Sequence, residues 1–84
     1  MNDSRWLVTG ALGCIGAWVT RLLVDSGAHV TTFDLMTDGH RLDDICGASR
    51  LANVSRVAGD IRELASVEAV FAAARPHHVV HLAA

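Results

Sequence analysis

The chain has 84 residues, of which 51% are hydrophobic and 19% are charged, and its formal net charge is -2. This composition indicates a packed globular chain rather than a disordered one. It is long enough for one modest core, so we predict one domain or part of one. The cationic side chains are seven dispersed arginines, which disfavours a nucleic-acid partner.

The two cysteines, Cys14 and Cys46, are far apart and have no C-x-x-C partner, so the sequence suggests neither a disulfide framework nor a zinc site. The N-terminus lacks the apolar core of a signal peptide. No apolar run approaches the roughly 18 residues of a membrane span. We therefore expect a soluble, cytoplasmic protein without a membrane partner.

The first predicted element is an apolar strand, residues 6–9, which is closed by Gly10. A helix is predicted from Ile15, with Gly27 at its C-cap and Thr20 on its polar side. The predicted core-facing stripe of this helix consists of Ile15, Val19, Leu22 and Leu23.

The second predicted strand, residues 29–33, is rich in β-branched side chains and ends before Asp34. A short helix is predicted at residues 43–48, with Asp43 and Asp44 interpreted as a cap and a solvated face. The third strand is predicted at residues 54–58, and its polar residues favour an edge of the sheet.

Asp60 and Glu63 have capping-box spacing, so Asp60 is predicted to be the N-cap of a further helix that Pro76 terminates. A fourth strand is predicted at residues 79–82. The predicted apolar stripe of the last helix consists of Leu64, Val67, Phe71 and Ala74.

The alternation of strands and helices predicts parallel strands joined by right-handed crossovers. The predicted fold class is therefore α/β, a partial Rossmann-type doubly wound parallel sheet with four strands in the order 3-2-1-4. In such sheets, ligands bind outside the carboxyl ends of the strands, at the point where the strand order reverses.

Three glycines at three-residue intervals, Gly10, Gly13 and Gly16, lie in the stretch "VTGALGCIGAW". The first permits a tight turn, the second a close approach of the backbone to a ligand, and the third close packing of helix and strand. The helix that follows presents free N–H groups to a pyrophosphate. A purely structural strand-to-helix turn is the alternative.

Asp34 lies 18 positions after Gly16, close to the spacing expected of an acid that binds ribose hydroxyls. Its carboxylate would repel a 2′-phosphate, so NAD is favoured over NADP as the cofactor. Two alternatives stay open: Asp34 is only a solvated acid at a strand end, or Arg41 in the following loop blurs the preference.

The sequence resembles the extended short-chain dehydrogenase/reductases, the NAD-dependent epimerase/dehydratase family. The resemblance is carried by "TGALGCIG" at residues 9–16, "GDI" at residues 59–61 and "VVHLAA" at residues 79–84. It implies that the pyrophosphate is contacted by Gly10, Gly13, Cys14, Ile15 and Gly16, and that the adenosine ribose is held by Asp34. It also implies adenine contacts from Asp60 and Ile61, and a wall beside the ribose and pyrophosphate formed by Leu82, Ala83 and Ala84.

Family members transfer a proton with a Tyr-x-x-x-Lys pair, and this sequence contains no tyrosine and no lysine. The resemblance therefore implies that residues 1–84 form an N-terminal NAD(P)-binding portion, with no catalytic residue and without the substrate-binding C-terminal part. The complete enzyme would be an epimerase, dehydratase or oxidoreductase acting on a sugar or nucleotide-sugar hydroxyl, and the resemblance allows it to be a homodimer. A free-standing NAD-binding module and a non-catalytic remnant are the alternatives.

Two other groups of residues suggest chemistry and have a simpler interpretation. His77 and His81 face one side of the fourth strand and His78 the other, so we expect hydrogen-bonded rings rather than a metal site. Cys14 has no neighbouring base in sequence, which disfavours a nucleophile. Trp6 and Trp18 are predicted to pack against the core or the sheet.

Overall fold

The computed structural model describes residues 3–35 and 40–82, in which strands and helices alternate. None of the helices described has the length and apolar character needed to cross a bilayer. The strands are β1 (Arg5–Thr9), β2 (His29–Asp34), β3 (Val54–Ala58) and β4 (His78–His81). The helices are α1 (Cys14–Asp25), α2 (His40–Leu51) and α3 (Leu64–Ala74).

The strands form one parallel sheet in the order β3-β2-β1-β4, which confirms the predicted fold class and topology. In the register of the sheet, Thr9 at the end of β1 lies opposite Phe33 and His81. Asp34 at the end of β2 lies opposite Ala58 at the end of β3. The carboxyl ends of all four strands therefore meet at one edge of the sheet.

The sheet is packed on both of its faces, as successive residues of β1 show. Leu7 and Val8 are fully buried in different clusters, because neighbouring side chains of a strand point to opposite faces. Burial of each such side chain contributes about 1.5–3 kcal/mol. The Leu7 cluster includes Phe33, Val70, Val57, Ile61 and Val67. The Val8 cluster includes Ala11, Val30, Val19, Leu23, Val24, Val54 and Val80.

Helix α1 buries a different face from the one predicted. Val19 and Leu23 pack against the sheet as expected, but Ile15 and Leu22 are 71% and 66% exposed, so the predicted stripe is wrong at those two positions. Thr20, predicted on the polar side, is fully buried. Its hydroxyl donates a hydrogen bond of 2.8 Å to the carbonyl of Gly16, which offsets the cost of burying it.

The smallest residues of α1 decide its orientation. Gly16 and Ala17 are buried, and Ala17 joins Leu42 and Cys46 of α2 in a third cluster. Small side chains let two backbones approach closely, so α1 packs against both the sheet and α2. The larger apolar side chains of Ile15 and Leu22 are left on its outer surface.

The ends of α1 and α2 follow local backbone rules. The C-cap residue of α1 is Ser26, and Gly27 follows it with φ 90°, as is common just after a helix. Helix α2 is longer than the predicted 43–48 and is interrupted at Gly47, which has φ 78°. Asp43 lies in its first turn instead of capping it, and it pairs with Arg56 of β3. Asp44 is exposed, as expected of a solvated face.

The predicted capping box at α3 is wrong. The N-cap residue is Glu63, without a side-chain hydrogen bond to the helix, and the carboxylate of Asp60 is bound to Arg62 instead. Val70 is the buried residue of this helix, whereas Leu64 and Phe71 of the predicted stripe are exposed. The helix ends at Ala74, just before Pro76, as predicted.

Candidate functional site

The turn after β1 is shaped by its first and third glycines. Gly10 has φ 73°, a conformation that favours glycine, and its N–H donates to the carbonyl of Phe33 at 3.1 Å. A Cβ on Gly16 would lie 2.4 Å from the oxygen of Gly10 and 2.6 Å from the Cα of Ala11. The predicted structural roles of these two glycines, a tight turn and close helix packing, are therefore present.

Gly13 is under no comparable constraint within the chain. Its φ is -75°, and a Cβ there would meet only the oxygen of Gly10, at 3.6 Å, an ordinary contact. It is the N-cap residue of α1, so the helix begins at Cys14, and its first-turn N–H groups have no partners within the helix. Cys14 and Ile15 are both exposed at this end of the helix.

A cleft of about 490 Å³ opens at the carboxyl ends of the strands. It brings together five of the predicted site residues and four others. The predicted ones are Gly10, Asp34, Asp60, Ile61 and Leu82, and the others are Phe33, Leu35, Gly59 and Arg62. Gly13, Cys14, Ile15 and Gly16 lie in the adjoining turn and helix start, and Ala83 and Ala84 lie outside the described residues.

The carboxylate of Asp34 joins the glycine turn to the cleft. One oxygen accepts a hydrogen bond from the N–H of Leu12, in the turn, at 3.4 Å. The other accepts from the N–H of Leu35 at 2.8 Å. The backbone carbonyl of Asp34 also accepts from the N–H of Gly59, at 2.8 Å, so Asp34 is tied to both neighbouring segments. Its carboxylate is thereby held at the cleft, where it can still accept hydrogen bonds from a ligand.

Gly59 is required by the wall of the cleft. A Cβ at this position would lie 2.4 Å from the ring of Phe33, which is only 2% exposed and packs in the core. The segment after β3 can therefore lie close against β2, and this closeness places Asp60 and Ile61 beside Asp34 in the same cleft.

Asp60 and Arg62 form the second charged feature of the cleft. The guanidinium of Arg62 donates to both carboxylate oxygens of Asp60, at 2.8 Å from Nη2 and 3.0 Å from Nε. This hydrogen-bonded pairing lowers the pKa of Asp60 and raises the pKa of Arg62. Asp60 is therefore a carboxylate and Arg62 a cation at neutral pH, and with Asp34 the cleft carries one net negative charge.

His77, just before β4, and His78 and His81 within it all have partners, and the rings of His77 and His81 are hydrogen-bonded, as predicted. The ring Nδ1 of His77 accepts from the N–H of Arg5 at 2.8 Å, and that of His81 is 2.7 Å from the hydroxyl of Thr9. His78 packs on the ring of Trp6, with 4.4 Å between ring centroids. Within residues 3–35 and 40–82, no three His, Cys, Asp or Glu side chains form a group suited to a metal ion.

The remaining aromatic and thiol groups lie away from the cleft. Trp18 is half exposed, and its ring centroid lies 5.2 Å from the guanidinium carbon of Arg21. It therefore lies on the outer surface of α1 instead of entering the core. Cys46 is buried, and burial raises the pKa of its thiol, which keeps it protonated and unreactive.

Four residues of the cleft were missed by the sequence prediction. Phe33 and Leu35 flank Asp34, and Gly59 precedes Asp60, so their positions next to predicted site residues could have indicated them. Arg62 had a signal of its own: it stands two residues after Asp60, and an aspartate that starts a turn often accepts a hydrogen bond from the backbone N–H two residues on.

The fold and the cleft together define a Rossmann-type nucleotide-binding class, and comparisons with known proteins give the family. A family model described as GDP-mannose 4,6 dehydratase matches residues 7–84. The chain is 34% identical over 80 residues to a "Probable dTDP-glucose 4,6-dehydratase" of Sinorhizobium fredii (strain NBRC 101917 / NGR234), covering 95% of this chain and 23% of that protein. It is 35% identical over 82 residues to "UDP-glucose 4-epimerase 3" of Oryza sativa subsp. japonica, covering 92% and 22%.

Solved structures give the same result. The enzyme WbmG of Bordetella bronchiseptica, crystallised in complex with NAD and UDP, superposes with a TM-score of 0.80 at 28% identity, covering 99% of this chain and 26% of that one. The chain belongs to the GDP-mannose 4,6 dehydratase family and corresponds to the N-terminal portion of an extended short-chain dehydrogenase/reductase of the epimerase/dehydratase type. It spans about a quarter of the length of these relatives.

Proposed function

We propose that residues 1–84 form a cofactor-binding portion that binds NAD in the cleft at the carboxyl ends of the strands. The observation that carries this proposal is the placement of Asp34, whose carboxylate is held between the glycine turn and the cleft by the N–H groups of Leu12 and Leu35. A carboxylate fixed there accepts hydrogen bonds from the two ribose hydroxyls of the adenosine half. The similar structure of WbmG, which was crystallised with NAD and UDP, supports a dinucleotide as the ligand.

The turn fits the pyrophosphate for reasons of space and charge. A Cβ at Gly13 would project into a region where only the oxygen of Gly10 lies within contact distance, so the glycine leaves room for a ligand group. The first turn of α1 presents its N–H groups and the positive end of the helix dipole there. Cys14 and Ile15 would contribute these through their backbone, and Gly10, Gly13 and Gly16 would line the turn.

The adenine would lie in the part of the cleft between β2 and β3. Ile61 is apolar and partly buried, and it lines the cleft beside Asp60, which offers an acceptor to the base. Leu82 lines the cleft from the β4 side, where it would adjoin the ribose and pyrophosphate. Ala83 and Ala84 are proposed to continue this wall.

NAD is proposed over NADP because the charge at the ribose position is negative. A 2′-phosphate would bring its own negative charge next to Asp34, and Arg62, the cation lining the cleft, is already engaged by Asp60. Calorimetric titration of the wild-type chain and of Asp34→Arg with both dinucleotides tests this. We expect Asp34→Arg to lower the affinity ratio of NAD to NADP by about tenfold or more, or about 1.4 kcal/mol.

The control is Asp44→Arg, which makes the same charge change at an exposed position of α2, outside the cleft. Its affinity ratio should equal that of the wild type. An unchanged ratio in Asp34→Arg would contradict the ribose assignment, and wild-type chain that binds neither dinucleotide would contradict the proposed function itself.

We propose that the reaction itself needs a proton-transfer group that residues 1–84 do not contain. NAD supplies hydride transfer when bound. The proton of a sugar hydroxyl needs a base, and the sequence contains no tyrosine or lysine to form the pair that the family uses. We propose a sugar or nucleotide-sugar hydroxyl as the substrate of the complete enzyme. For the 84-residue chain we expect NAD binding without NADH formation at 340 nm, as for a free-standing binding module, and measurable turnover would contradict this.

A further inference from the structure

The turn after β3 contains a carboxylate that one residue holds from three directions. Oδ1 of Asp60 accepts from the backbone N–H of Arg62 at 2.9 Å and from its Nε at 3.0 Å. Oδ2 accepts from Nη2 at 2.8 Å, with Nε also at 3.2 Å. Arg62 therefore fixes both the rotation and the position of the Asp60 carboxylate.

The two side chains of this pair have very different exposures. The side chain of Asp60 is only 16% exposed, whereas that of Arg62 is 80% exposed. Both line the cleft, so the carboxylate forms part of its wall and the guanidinium lies at its rim. Most exposed ion pairs have little effect, because the arginine loses conformational freedom when it is held. A two-point contact with a carboxylate, as here, is the geometry in which such a pair does constrain its partner.

The hydrogen bonds leave the carboxylate with limited capacity. An ionised carboxylate has about four acceptor positions, and Arg62 supplies three donors: one backbone N–H, Nε and Nη2. About one acceptor position is left, and only a hydrogen-bond donor can use it. A carbonyl oxygen placed there would instead face a negative charge and repel it.

We propose that Arg62 is a positioning residue that orients Asp60 to select a base with an amino group at its edge. This inference rests on the proposed function, since it concerns the base of a nucleotide bound in the same cleft. Adenine presents an exocyclic amino group to Asp60, whereas hypoxanthine presents a carbonyl oxygen. The chain therefore prefers NAD over nicotinamide hypoxanthine dinucleotide, and the size of that preference depends on Arg62.

A direct contact of Arg62 with a phosphate is the competing role. The geometry favours the positioning role because Nε and Nη2, which would form a two-point contact with a phosphate, are both turned to Asp60. The two roles have separate consequences: positioning changes the discrimination between bases, whereas a phosphate contact changes the affinity for NADP.

The experiment is a calorimetric titration of the wild-type chain, Arg62→Gln and Arg62→Lys with NAD, its hypoxanthine analogue and NADP. We expect the wild-type chain to prefer NAD over the analogue by about tenfold, and Arg62→Gln to reduce this preference to about twofold or less. Arg62→Lys should fall between them, because lysine keeps the charge but cannot make the two-point contact. Arg56→Gln is the matched control, since it removes a similar pair, with Asp43, outside the cleft.

Each result has a separate meaning. A preference that is unchanged in Arg62→Gln, with NAD still bound, overturns the positioning role and leaves the proposed function standing. Equal weakening of NAD and its analogue, or a loss confined to NADP, also overturns it, because either result places Arg62 on another part of the ligand. A wild-type chain that binds none of the three overturns both proposals, and a change of preference in Arg56→Gln as well overturns the assignment to Arg62.

Discussion

One side of the cleft is formed by backbone atoms and the other by charged side chains. On the β1 side, the glycine turn is formed by backbone atoms, with Gly10 and Gly16 fixed by steric limits. On the β2 and β3 side, charged side chains, Asp34, Asp60 and Arg62, are fixed by hydrogen bonds. The comparison teaches that substitutions at Gly10 or Gly16 disturb the packing of the turn, whereas substitutions of Asp34, Asp60 or Arg62 change the binding preference of the cleft.

The largest expected effect is on the backbone side, with Gly16→Ala. The added Cβ would lie 2.4 Å from the oxygen of Gly10 and 2.6 Å from the Cα of Ala11, and both are backbone atoms that cannot rotate away. We expect a loss of about 3 kcal/mol in the free energy of unfolding, measured by urea denaturation followed by circular dichroism. A loss below about 0.5 kcal/mol would show that the turn is not closely packed.

A smaller and more selective effect is expected from Gly13→Ala. Here the backbone is extended and the Cβ would meet only an ordinary contact at 3.6 Å, so the free energy of unfolding should fall by about 0.5 kcal/mol or less. The methyl group would project toward the proposed pyrophosphate, and we expect the affinity for NAD to fall by about tenfold. Calorimetry and urea denaturation of the same sample separate the two effects, and unchanged affinity would contradict the pyrophosphate assignment.

The smallest expected effect is a pH-dependent one, at an ion pair that lies outside the cleft and so shows what a charged contact contributes without a binding role. Asp25 of α1 accepts a hydrogen bond of 2.7 Å from Arg50 of α2, which lowers the pKa of Asp25 below its usual value of 3.8. Because the folded-state pKa is lowered, the stabilisation is present above pH 3.8 and is lost as the pH falls through the folded-state value.

The corresponding variant is Asp25→Asn. Its melting temperature should be slightly below that of the wild type at pH 6, and the difference should disappear at the acidic end of the range over which the chain stays folded. The expected difference is small because the pair is exposed to solvent. A difference that grows as the pH falls would contradict the assignment of the shift to Asp25.

The sequence was sufficient for features that depend on chain order and backbone type. Alternating elements determine a parallel sheet, and glycine at positions 10 and 16 is dictated by a positive φ and by a steric limit, so both could be recognised in advance. Asp34 was found because it lies at the end of the second strand, whose carboxyl end is fixed by the topology, and 18 positions after Gly16.

Features that depend on competition between side chains could not be predicted. Asp60 had the spacing of a helix cap, but Arg62 offers three donors at short range, and these replace the helix N–H groups as its partners. Ile15 and Leu22 fit a helical stripe with Val19 and Leu23, yet the small residues Gly16 and Ala17 permit closer packing and leave Ile15 and Leu22 facing outward. In both cases the periodicity was present, and a tertiary contact decided between two locally acceptable arrangements.

Main-chain hydrogen bonds also join the strand ends beneath the cleft. Gly10 donates to the carbonyl of Phe33, Gly59 to that of Asp34, and Leu82 to that of Thr9. Such bonds carry no information about side-chain identity, because every residue except proline offers the same N–H and C=O groups. Side chains around the cleft can therefore drift during evolution and redirect which nucleotide is bound, while the platform beneath them keeps its shape.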